Sequence, residues 1–151
     1  MSALDTSLTA AHAEVKAEIA RTDNKTALLL AFTGALLAGV WTVAKDVPLP
    51  AAAYVVGGTG VALLVAAAAV LLRAVRPNLG GTRPAGFPRW ATLTAEEIRT
   101  ELDEDKRAQD IAKLSRIAMA KFANLRRAVD LTCAAGVLLI VAAVIAVGGA
   151  V

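Results

Sequence analysis

The sequence predicts an all-α membrane protein, with three transmembrane helices, an N-terminal amphipathic helix and a long cytoplasmic helix leading into the third span. Three observations carry that prediction. Residues 26–44, 47–72 and 131–151 contain no Asp, Glu, Lys, Arg or His. At 1.5 Å per residue each is long enough to cross a hydrocarbon core roughly 30 Å thick. The polar segments between them repeat their apolar residues at helical rather than strand spacing. The 16 Lys and Arg are distributed 3, 1, 12 and 0 over the successive segments outside the spans, which alternates as an odd number of crossings requires. Positive residues stay inside, so the N-terminus and residues 73–130 are expected in the cytoplasm and Val151 outside.

The chain reads as one membrane domain over 1–151. Residues 1–25 form the first element, a cytoplasmic amphipathic helix, because Leu8, His12, Val15 and Ile19 fall on one helical face with Glu14, Glu18 and Arg21 outside it. Acidic residues among the bases and the late start of the apolar run argue against a cleaved signal peptide. The first span, 26–44, ends at Lys45-Asp46-Val47-Pro48-Leu49-Pro50, where two prolines disfavour helix in their predecessors and reverse the chain. Pro50 suits a first helical turn, so the second span is placed at 50–72. Ala31, Ala35 and Gly39 in one span, and Ala53 and Gly57 in the next, repeat at four-residue spacing, the pattern that lets helices approach closely in lipid.

Residues 73–93 read as a cytoplasmic loop, since Pro77, Gly80, Gly81, Pro84, Gly86 and Pro88 forbid a long helix, and Phe87 and Trp90 suit the membrane interface. Thr94-Ala95-Glu96-Glu97 is a capping box, and a cytoplasmic helix is expected from there through 130 into the third span, 131–151. Its beginning is acidic and its end basic. Ile111, Leu114, Ala118, Phe122, Leu125 and Val129 form an apolar stripe, read as a packing face and as a seam between copies of the chain.

Composition narrows the function classes. A net charge of +3, with no basic cluster interleaved with aromatics, suits an inner-leaflet face and no nucleic acid. The single Cys133 excludes an intramolecular disulfide and a Cys-rich metal site. Spans without ionisable groups lack the proton relays and charged pathways of transporters and pumps. No phosphate-cradling loop, metal-ligand spacing or nucleophile–base pair is present, so no enzyme activity and no cofactor are expected.

Arg21-Thr22-Asp23-Asn24-Lys25-Thr26-Ala27-Leu28-Leu29-Leu30, with Gly34 and Gly39, resembles the start of the first span in the Pycsar effector (PycTM) membrane domain. The likeness continues in Arg76-Pro77-Asn78-Leu79, in Leu93-Thr94-Ala95-Glu96-Glu97, in the run from Ile111 to Ala118, and in Lys121-Phe122, Leu125-Arg126 and Ala128. The two-span SLATT effector domains are a rival, and the third span favours the first family. The resemblance implies a bacterial antiphage effector that assembles in the inner membrane and impairs its integrity when a partner cyclase makes a nucleotide signal. That signal would be cyclic CMP or cyclic UMP, or would reach the chain through a partner sensor. Residues 73–130 offer no strand pattern for a β-rich nucleotide-binding module, so an anionic ligand bound directly falls on Arg99, Lys113, Arg116 and Lys121.

Two further expectations concern the lipid boundary and assembly. Asp23 and Lys25 in the first helix, and Arg126, Arg127 and Asp130 in the third, all lie at the inner face, so Asp23 is expected to pair with Arg126 or Arg127 and Lys25 with Asp130. A homo-oligomer is expected to use Leu114, Phe122 and Leu125. The competing functional class is a small accessory membrane protein bound to a transport or conjugation apparatus.

Overall fold

The computed structural model describes residues 2–45, 47–76, 87–103 and 105–148. Among them the chain forms five helices and no strand: α1 (Ala3–Ala44), α2 (Ala51–Val75), α3 (Phe87–Trp90), α4 (Ala95–Asp103) and α5 (Arg107–Gly148). Three of these, α1, α2 and α5, are long and apolar enough to cross a membrane, as the uncharged stretches require. The amphipathic segment and the first span are one unbroken helix of 42 residues, begun by Ser2, whose hydroxyl accepts the Asp5 amide at 3.1 Å. Pro50 stands immediately before α2 in extended conformation and stops any continuation from α1.

The helix expected over 94–130 is two helices instead. Thr94 and Glu97 close their capping box, Glu97 accepting the Thr94 amide at 2.8 Å, but α4 ends at Asp103 and α5 starts at Arg107. The reason lies in Asp105, whose carboxylate accepts the Arg107 amide at 3.1 Å and also its guanidinium at 2.9 Å. A short acidic side chain bonding the backbone two residues on competes with helical continuation. The break-rich part of the expected loop, 77–86, lies outside the described residues, as does the Phe87 side chain; α2 runs on to Val75 and Trp90 is 38% exposed.

The three long helices pack on one another. Helices α1 and α5 run parallel, since contacts near their starts join Thr9 to Arg107 and contacts further along join Asp23 to Lys121. Helix α2 runs antiparallel to α5: a Cβ placed on Gly57 would lie 3.4 Å from Ala142, and one on Gly60 would lie 3.1 Å from Leu139. At 42 residues α1 and α5 are each about 60 Å long, far longer than the 25-residue α2. Their first turns therefore project past α2 as a two-helix stem.

Inside the bundle the side chains are small. Ala67, Ala128 and Ala135 are fully buried, with Leu64 and Leu71 the large members of the core. The inner face of α5 steps through Leu114, Ala118, Lys121, Leu125, Ala128, Thr132 and Ala135 at alternating intervals of four and three, the 3.5 period of a left-handed supercoil. Thr22, Thr26, Thr33 and Thr132 are buried too, and each hydroxyl donates to the carbonyl four residues earlier at 2.7–2.8 Å. Local bonding of this kind satisfies a hydroxyl where neither water nor lipid can.

The small-residue stripes do not meet as a hairpin. Gly57 and Gly60 of α2 pack on α5, whereas Ala31, Ala35 and Gly39 of α1 are exposed, because α1 turns its threonine face inward. Replacing Gly60 by Val should therefore force α2 from the Ala135 carbonyl, 3.2 Å from a Cβ there, at about 1–3 kcal/mol for overpacking. Gly58→Ala, in open space, should be neutral or slightly stabilising. Thermal unfolding in detergent compares the two.

Candidate functional site: a clasped helical stem

The stem concentrates the polar contacts that cross between elements. Arg107, the first residue of α5, is the hub of its far end. Its guanidinium donates to Asp105 Oδ2 at 2.8 Å, to Thr9 Oγ1 at 2.7 Å, to the Asp5 carbonyl at 3.3 Å and to the Asp5 carboxylate. Five donors in a fixed planar fork allow one arginine to hold both helices at once. The side-chain hydrogen bond from Arg107 holds the Asp105 carboxyl down, from its usual 3.8 to about 2, and hydrogen bonds to Asp105 and Asp5 push Arg107 upward.

A second clasp sits nearer the membrane, where the Lys121 ammonium pairs with the Asp23 carboxylate. Lys121 is on the inner face of α5, where its charge is tolerated because the partner comes from α1. Beyond the stem, Arg89 bonds Glu101 at 2.7 Å and ties the α3 turn to α4. Thr94, chiefly through its backbone amide and then its hydroxyl, lowers the pKa of Glu97 and so strengthens the start of α4. Ile98 of α4 is half-buried and Leu102 is exposed.

Several expected positions fall elsewhere. Asp23 pairs with Lys121 and not with Arg126 or Arg127, and Lys25 does not pair with Asp130; among the described residues Lys25, Arg126, Arg127 and Asp130 have no salt-bridge partner. Helix geometry explains the difference. Arg126 lies five residues beyond Lys121, about 140° around α5, which turns it away from α1. The apolar stripe divides for the same reason: Leu114, Ala118 and Leu125 face inward, while Phe122 and Val129 are 36% and 41% exposed. Leu114 and Leu125, both half-buried, thus serve the bundle's own packing.

Of the four cations proposed for an anionic ligand, two are already engaged: Arg99 by Glu96 at 2.9 Å and Lys121 by Asp23. Lys113 and Arg116, three residues apart and exposed on α5, are without an ion-pair partner among the described residues. His12 is half-buried on the inner side of α1. Sequence reasoning missed Asp5, Thr9 and Arg107. Only the closeness of Asp105 to Arg107 hinted at them, and nothing linear joins residue 5 to residue 107.

The family model described as the Pycsar effector protein domain, PycTM, matches residues 7–148. The chain belongs to this family. The match takes in α1 from its second turn, all three spans, the Lys121 clasp and the whole of α5, so the fold and the family domain coincide. No curated protein and no solved structure matches the chain significantly.

Removing either clasp should loosen the stem and leave the spans packed. Arg107→Ala is expected to raise hydrogen exchange in the first turns of α1 and α5 alone, and Lys121→Ala to cost about 0–1 kcal/mol, as half-exposed ion pairs do. The pH dependence follows from Asp105. Its carboxyl is held below its unfolded value, so its contribution is complete above pH 3.8 and disappears as pH falls through about 2. Hydrogen exchange between pH 5 and pH 2 should show the stem's far end opening only in the acid part of that range.

Proposed function

We propose that this chain is a bacterial inner-membrane antiphage effector that acts without catalysis, assembling and impairing membrane integrity when a cyclic-nucleotide-linked signal is made. The observation that carries the reading is the family match over 7–148, on a chain in which three long apolar helices occupy most of the length. The N-terminus and stem face the cytoplasm and the end of α5 faces outside. Support comes from the 3, 1, 12 and 0 distribution of Lys and Arg, together with the parallel course of α1 and α5, which gathers the first and third groups at one end of the bundle.

Acting without catalysis is consistent with spans free of ionisable residues. A nucleotide such as cyclic CMP or cyclic UMP, if it touches this chain directly, meets Lys113 and Arg116, which are exposed and make no salt bridge among the described residues.

The test is inducible expression with and without a candidate cyclase while membrane potential is followed. Depolarisation is expected only when both are present, and Lys113→Glu with Arg116→Glu should reduce it if the contact is direct. Unchanged potential in doubly expressing cells, with the chain inserted, would favour an accessory role. Reporter fusions after residue 148 should be active only outside the cytoplasm.

A further inference from the structure

One face of α5 is turned away from α1 and α2 along much of the helix. From Met119, alternating steps of four and three residues reach Ala123, Arg126, Asp130, Cys133 and Val137, then continue through 140, 144 and 147, and all nine positions are exposed. It lies about 140° around the helix from the inner seam, being offset by five residues from Leu114. These positions form one continuous strip along the helix, and the strip has no neighbour among the described residues.

Lipid alone does not account for it. Met119 is 68% exposed and stands twelve residues before Leu131, where the uncharged run begins, so it lies about 18 Å above the hydrocarbon. Headgroup layers add only about 5–7 Å on each side. Met119 and the neighbouring Phe122 therefore face water in a single copy. Between them and the span come Arg126 and Asp130, on successive layers of the seam and without an ion-pair partner among the described residues.

We propose that the outer face of α5 binds the same face of a second copy, with the two α5 helices parallel. Copies inserted in one orientation can meet only in parallel, around a two-fold axis normal to the membrane. An isologous contact needs a self-complementary surface. Arg126 and Asp130 supply it, because each Arg126 then lies one turn from the partner's carboxylate and two reciprocal pairs form at the lipid boundary. The two Cys133 side chains come together in the next layer. Gly136 lies beside them, where a Cβ would meet nothing within 4 Å, so the two backbones have room to approach. This pairing deepens the assembly in the effector reading by naming the surface. Its test reads a cross-link and not membrane potential, so the two can fail separately.

The full-length chain in its native membrane is treated with copper–phenanthroline, with no cyclase present, and run on a non-reducing gel. A dimer is expected, reversed by reductant and absent from Cys133→Ala. Arg126→Asp and Asp130→Arg should each lower the cross-link about tenfold, and the double variant should restore it, each chain being confirmed as inserted by carbonate extraction. A chain that stays monomeric although Cys133 accepts a maleimide would overturn the proposal. So would a cross-link indifferent to the single reversals, which chance collision produces, or a double variant that stays as weak as the singles.

Discussion

The register in which α5 lies along α1 is the constraint from which most of the molecule follows, and it sets Lys121 against Asp23. A lysine can occupy the inner seam of a helix only where an opposite charge meets it. Once it does, steps of four and three fix the remaining inner positions: Leu114, Ala118 and Leu125 on one side of the pair, Ala128, Thr132 and Ala135 on the other. Arg126 and Asp130 are turned outward by the same rotation. That register thus decides which charges belong to the bundle and which remain for contacts beyond it.

Below that pair, packing depends on size more than on hydrophobicity. Acyl chains are as apolar as Leu, so helices gain little by exchanging lipid contacts for protein contacts unless backbones come close. Alanines at 67, 128 and 135 and the glycines at 57 and 60 allow that approach, and the buried threonines add volume without an unsatisfied polar atom. Large apolar residues such as Trp41, Val55 and Val144 are correspondingly turned outward, more than 60% exposed. In a soluble protein this distribution would be inverted; in a bilayer it is the expected one.

Above it, the stem is held differently. With α2 too short to cover this length, α1 and α5 bury only narrow strips of each other, and the polar fork of Arg107 holds the far end. Two domains of stability result. The span region is bound by close apolar packing, which neither salt nor pH disturbs directly, while the stem depends on charge pairs open to solvent.

The sequence by itself determined the number of spans, the chain reversal at Pro50, the cap at Thr94 and the family, because these rest on local chemistry: uncharged length, proline geometry, the hydroxyl–carboxylate exchange of a capping box, and short motifs in order. The partners of charged residues and the division of apolar residues into inner and outer faces were decided only by the tertiary structure. Phe122 and Leu125 look equally suited to a buried seam when read in line, yet Phe122 is exposed and Leu125 is half-buried against the bundle. Asp23 is as close in sequence pattern to an arginine partner as to a lysine. Helical rotation of 100° per residue, fixed by contacts about a hundred residues apart along the chain, separates these cases, and no spacing within either helix carries that information.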